Sequence, residues 1–138
     1  MGRKGSCLCG ALRYEVEGDF DGVWMCHCSN CRKASGGAGN TILIVPRARF
    51  RWLSGEDHLV TYAVRPTYAI TRCKTCGTPL PAEMDASTVY LTAGTLDDPL
   101  DAGITNHIFY GSRADWERDA PGVRYFVEHS AGPRDVAP

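Results

Sequence analysis

The chain is predicted to fold as an all-β domain of several small antiparallel sheets with little helix. Three observations point there. Fifteen Gly and eight Pro among 138 residues require many turns. Seven or so segments of strand length alternate or run apolar, while helical periodicity is weak throughout. Seven cysteines fall into three tight groups, and a chain of this size gains stability from a metal staple when its core is modest.

Taken in order, the first clear strand is LRYEVEG (12–18), where Leu12, Tyr14 and Val16 share one face. TILIV (41–45) is an apolar run closed by Pro46 and reads as a buried strand. FRWL (50–53), HLVTYAV (58–64) and TYAIT (67–71) follow, with SGED (54–57) as the turn between the first two. VYLTAG (89–94) and HIFYG (107–111) complete the set. Helix is expected only as a turn over SNCRKAS (29–35) and one or two turns over SRADWERD (112–119), with Ser112 as N-cap. VRYFV (123–127) is a further strand candidate. One domain spans residues 3–127, and 128–138 reads as a mobile tail.

Composition narrows the function classes. The formal charge of −1, from 15 basic and 16 acidic side chains, argues against a nucleic-acid or membrane-surface protein. The chain contains no 18-residue apolar run, and its first residues lack the apolar core of a secretory signal. Gly2 and Ser6 fit a myristoylation spacing, but Cys7 beside them has a better use. A reducing cytoplasm is the expected location.

The cysteines read C-L-C (7, 9), C-H-C-S-N-C (26, 28, 31) and C-K-T-C (73, 76). Clustering of this kind in a cytosolic chain argues for metal rather than disulfides. In C-x-C on extended backbone both side chains leave the same face, so both can bind one ion. In C-x-x-C a tight turn converges them, and Gly77 after Cys76 suits the positive φ such a turn uses, as does Gly10 after Cys9. Seven is the count of a closed four-thiolate site plus an open three-thiolate site, and open sites are the catalytic kind. Spacing leaves a rival partition: Cys28 and Cys31 with Cys73 and Cys76 as a zinc ribbon, and Cys26 with the first pair.

The motifs GSCLCGALRYEVEG, CHCSNCRK and CKTCG, with GTLDDP (94–99), His107–Ile108 and Trp116, resemble the glutathione-dependent formaldehyde-activating (GFA) family from about residue 3 to 127. The resemblance implies a β-tent-like fold of coiled antiparallel sheets, stapled by zinc. It implies two zinc ions per chain, a structural one on Cys7, Cys9, Cys73 and Cys76 and a catalytic one on Cys26, Cys28 and Cys31. It also implies carbon–sulfur lyase chemistry on a thiol–aldehyde adduct, with glutathione as cosubstrate. Arg72 departs from the family pattern, in which many relatives carry Phe, and is expected to alter packing rather than ligation. β-tent domains also serve as non-catalytic zinc-binding interaction modules, the alternative reading.

Seven thiolates on two zinc ions would take the formal charge from −1 to about −4. Lys4, Arg32, Lys33, Arg72 and Lys74 flank the cysteines and offset that charge; Arg32 and Lys33 are also candidates to hold the carboxylates of glutathione. His107, in the family-like His-Ile segment, is the acid–base candidate. His27 should point away from the metal face and pack or hydrogen-bond. His58 and His129 have no supporting context. Ser29 and Ser35 are expected to brace the metal loop. Trp24, Trp52 and Trp116 are expected in the core. SGGAGN (35–40) lacks the strand and helix context of a phosphate cradle.

Overall fold

Leu12, Tyr14 and Val16 are all fully buried, which fixes one face of the first meander against the core. The structure, a computed structural model, describes residues 2–128; His129 and the rest of the predicted tail lie outside the described residues. The strands are β1 (Arg3–Ser6), β2 (Arg13–Val16), β3 (Val23–Cys26), β4 (Asn40–Pro46), β5 (Phe50–Ser54), β6 (Leu59–Arg65) and β7 (Tyr68–Cys73). They are followed by β8 (Pro79–Leu80), β9 (Ala82–Glu83), β10 (Thr88–Thr92) and β11 (Ile104–Ile108). The one α-helix among the described residues is α1 (Ser29–Ser35).

These strands form three small sheets, β1-β2-β5, β11-β3-β4-β10-β9 and β6-β7-β8. Every named pair is antiparallel except β11 with β3, which run parallel with Ile108 opposite Cys26. The main core lies between the first two sheets and includes Tyr14, Val16, Phe50, Leu43, Val45 and Leu91. Tyr14 anchors it twice, by ring contacts to Phe50 and Trp52 and by a 2.7 Å bond between its hydroxyl and Thr95 Oγ1. A second cluster, Cys7, Leu12, Cys73 and Leu80, fills the space under β6-β7-β8, and Trp52 packs against both clusters.

The segments expected as strands at 12–18, 41–45, 50–53, 58–64, 67–71, 89–94 and 107–111 all contain one, though the last starts at Ile104 and stops at Ile108. TILIV is buried on one face only: Leu43 and Val45 point inward while Ile44 is 45% exposed. Four strands were not legible locally. β1 is RKGS, β8 and β9 have two residues each, and β3 is shared with the cysteine motif. The helix expected over 112–119 does not form. Phe109 takes a left-handed conformation (φ 52°), a short 3₁₀ turn covers Tyr110–Ser112, and Arg113 and Arg118 donate to the nearby carbonyls of Tyr110 and Asp115. Side chains that satisfy local carbonyls in this way compete with a helix ladder. VRYFV forms no strand either, only a bridge at Phe126.

Candidate metal centre and active site

Two hairpin-like knuckles bring the first and last cysteine pairs together. In each, the leading cysteine N–H bonds to a carbonyl five residues on: Cys7 to Leu12 (3.1 Å) and Cys73 to Thr78 (3.1 Å). In each, the glycine after the pair bonds back to the leading cysteine's carbonyl, at 2.9 Å from both Gly10 and Gly77. Their φ angles are 77° and 75°, the left-handed region where glycine avoids the Cβ clash. The knuckles are tied to each other by Leu8 N–H donating to Thr78 Oγ1 at 3.1 Å.

As a result the sulfurs of Cys7, Cys9, Cys73 and Cys76 all lie within 4.8 Å of one another, and those of Cys26, Cys28 and Cys31 form a second such group. The partition into four and three is therefore the one the fold makes; the ribbon pairing of Cys28 and Cys31 with the last pair is not. All seven thiols are free. Cys7 and Cys9 Sγ are 3.5 Å apart, and Cys9 and Cys73 Sγ 3.8 Å. Tetrahedral thiolate coordination of zinc needs neighbouring sulfurs roughly 3.8 Å apart, so the four-thiol group fits that ion.

Local hydrogen bonds tune the thiols. Cys76 accepts from Thr78, by side chain and backbone, and these bonds bring its thiol down to about 5. Cys9 is raised to about 11: a bond from the Ala11 backbone lowers it, but the Cys7 thiol, burial and the thiols of Cys76 and Cys73 together outweigh that. In the three-thiol group, Cys28 is the N-cap of α1, and its Sγ accepts from Cys31 N–H at 3.4 Å. Burial acts against ionisation there, yet the Cys31 and Asn30 backbone amides and the two neighbouring thiols bring Cys28 below its ordinary value. A thiolate at a helix N-terminus is favoured by the unpaired amides of the first turn. Burial pushes Cys26 and Cys31 up.

His27 lies between Cys26 and Cys28 in the chain but leaves the opposite face of the extended backbone, as expected from alternation. It is fully buried; its Nδ1 is 2.8 Å from Glu117 Oε2 and its Nε2 is 2.8 Å from His107 Nδ1. With Glu117 an acceptor, His27 donates from Nδ1 and accepts at Nε2 from His107 Nδ1–H. The structure thus brings His107 to His27 and Glu117, on the face of β3 away from the sulfurs. Glu117 and this network were not legible in the sequence, since 117 and 27 are 90 residues apart.

Two further features lie near α1. One is Tyr68, on β7, whose hydroxyl is 3.8 Å from Cys31 Sγ. The other is a recess of about 250 Å³ lined by Ser29, Arg32, Lys33, Gly36, Gly37 and Trp116, on a different face of α1 from the buried Cys31 and Ala34. Trp116 is 61% exposed, so the expectation that it lies in the core fails: the missing helix at 112–119 leaves its ring on the surface beside α1. Ser35 does brace the loop after α1, donating to Gly39 O at 2.8 Å and accepting from Gly37 N–H at 3.1 Å. Arg72 links the two clusters. It donates to Gly77 O in the second knuckle at 3.0 Å and to Ala34 O on α1.

The fold and the two thiol groups define a small β protein whose cysteines form one closed and one open cluster with metal-binding geometry. Residues 2–112 match the family described as glutathione-dependent formaldehyde-activating enzyme, and the chain belongs to that family. A Halomonas elongata protein, named as a candidate glutathione-dependent formaldehyde-activating enzyme, is 37% identical over 60 residues. That stretch is 43% of this chain and 38% of the relative, so the match spans well under half of each. A crystal structure of a Rhodobacter sphaeroides protein shares the fold with a TM-score of 0.60 at 23% identity, covering 74% of this chain and 99% of the other. Among the described residues no helix is long and apolar enough to cross a membrane.

Proposed function

We propose that the chain is a zinc-dependent carbon–sulfur lyase-type enzyme that makes and breaks the adduct of a thiol, glutathione in the first instance, with formaldehyde or a related aldehyde. The observation that carries this reading is the three-thiol group at the start of α1, with a cationic recess on another face of the same short helix. Cys26, Cys28 and Cys31 would hold the catalytic ion, and Cys7, Cys9, Cys73 and Cys76 the structural one. Zinc at the trio supplies a Lewis acid that favours the thiolate form of a substrate thiol near neutral pH.

Arg32 and Lys33, in the last turn of α1, take the carboxylates of glutathione, with Trp116 as the wall of the recess. Arg32 Nε is buried without a hydrogen-bond partner in the structure, a donor that a bound carboxylate would satisfy. His107 has its Nδ1 committed to His27, so we assign it, with His27 and Glu117, to holding β3, β11 and the 113–119 segment together behind the trio. Seven free thiols suit a reducing compartment such as the cytoplasm. Residues 3–127 act as one catalytic domain.

The test is metal analysis together with exchange NMR on glutathione and formaldehyde. Two zinc per chain and faster interconversion of free and hydroxymethylated glutathione are expected. Arg32→Ala, Lys33→Ala should raise KM for glutathione at least tenfold with kcat largely kept. Zinc-replete protein that leaves the interconversion at its spontaneous rate would refute the enzyme reading and favour an interaction module.

A further inference from the structure

We propose that Tyr68 is a catalytic residue, its hydroxyl donating a hydrogen bond to the aldehyde-derived oxygen of the adduct. This rests on the reading of the trio given above and adds the group that meets the developing charge. The tyrosine comes from β7, in a different sheet from the trio, and its hydroxyl is 3.8 Å from Cys31 Sγ. Sulfur is a weak hydrogen-bond acceptor, so this long contact leaves the O–H available to a better one.

The ring is held in place. It tilts against Tyr90, with centroids 6.3 Å apart, and Tyr90 in turn donates to the carbonyl of Ala69, the next residue along β7. The Arg65 guanidinium lies 5.7 Å from the Tyr68 ring centre. A half-buried phenol fixed in this way offers a pre-aimed donor without the reorganisation water needs.

A thiol gathered among the three sulfurs lies beside Cys31, as the Tyr68 hydroxyl does. The oxygen of its aldehyde adduct is two bonds from that thiol's sulfur, within reach of the phenol. In the forward direction the sulfur lone pair forms the C–S bond and the carbonyl π pair moves to oxygen. Tyr68 hydrogen-bonds that oxygen as charge develops, and water delivers the proton. In reverse, water removes the hydroxyl proton, the C=O bond reforms and the C–S pair returns to sulfur. Tyr68 stays a phenol throughout. The histidine candidates, His27 and His107, face away from this side of β3.

The experiment compares zinc-loaded wild type with Tyr68→Phe. Expected are unchanged zinc content, unchanged glutathione affinity, and an exchange rate between glutathione, formaldehyde and the adduct lower on the order of 100-fold. In binding titrations the hydroxymethyl adduct should lose roughly tenfold in affinity for the variant, whereas S-methylglutathione, which lacks the hydroxyl, should bind both proteins equally. A variant as active as wild type overturns the assignment of Tyr68 alone. So does a variant whose loss of rate follows loss of zinc or of fold, or one that weakens both ligands alike, because each marks a structural role. A wild type that does not accelerate the exchange overturns the enzyme reading and this proposal together.

Discussion

Replacing Cys73 by Ser should destabilise the zinc-loaded protein far more than replacing Cys31 by Ser. The two thiols close very different loops. Cys9 and Cys73 are 64 residues apart (73 minus 9), and their sulfurs are 3.8 Å from each other. Cys26 and Cys31 are 5 apart (31 minus 26) within one segment. Closure entropy grows as 1.5 RT ln n, so the longer loop accounts for about 2 kcal/mol more stabilisation per staple. Local surroundings add to the gap. Cys73 is 1% exposed among Cys7, Leu12 and Leu80, where a serine hydroxyl finds apolar neighbours. At position 31 the Tyr68 hydroxyl stands ready as a partner. A buried hydroxyl without a good partner costs about 1–2 kcal/mol more. The sum, about 3–4 kcal/mol, corresponds at about 4 °C per kcal/mol to a Tm lower by about 12–16 °C for Cys73→Ser than for Cys31→Ser. Thermal unfolding followed by circular dichroism, with zinc counted before and after, reads this directly. Equal Tm values, or a lower one for Cys31→Ser, would refute the division into a stapling group and an open group.

Two further outcomes are expected. Zinc binding at the trio should release at least two protons at pH 7, because burial holds Cys26 and Cys31 above the ordinary thiol value and both arrive protonated. Protons compete for the same sulfurs, so affinity falls as pH falls, by about 100-fold or more per unit around pH 7; calorimetry in buffers of different ionisation enthalpy measures the count, and release of one proton or none would contradict it. Arg72→Met removes both donors that join the Gly77 knuckle to the end of α1 and should cost about 1–3 kcal/mol, read as a lower Tm with both metals retained. An unchanged Tm would show that this bridge carries no stability.

The core strands were readable locally because alternation and burial coincide there: Leu12, Tyr14 and Val16 face inward, as their spacing demands. The C-x-C and C-x-x-C pairs and their glycines specify their own turns, so each knuckle was legible as well. β1 and β3 were not: RKGS carries little apolar signal and is a strand only through its pairing with β2, and VWMC runs straight into the cysteine motif and pairs with β4 and β11 further along the chain. The segment 112–119 misled for the same reason: Glu117 satisfies His27 across 90 residues, and a short helix of modest propensity does not outweigh that contact.

The chemistry of this protein is written locally: seven thiols, their count and their grouping follow from short motifs whose geometry is set within a few bonds. Which groups share a site is a matter of chain return. The pairing of 7/9 with 73/76 rather than 28/31 with 73/76, the turning of His107 onto His27, and the arrival of Tyr68 and Arg72 beside α1 all depend on sheet pairing over tens of residues. Contacts of that range are decided by cooperative burial of the whole core, and local spacing carries no information about them.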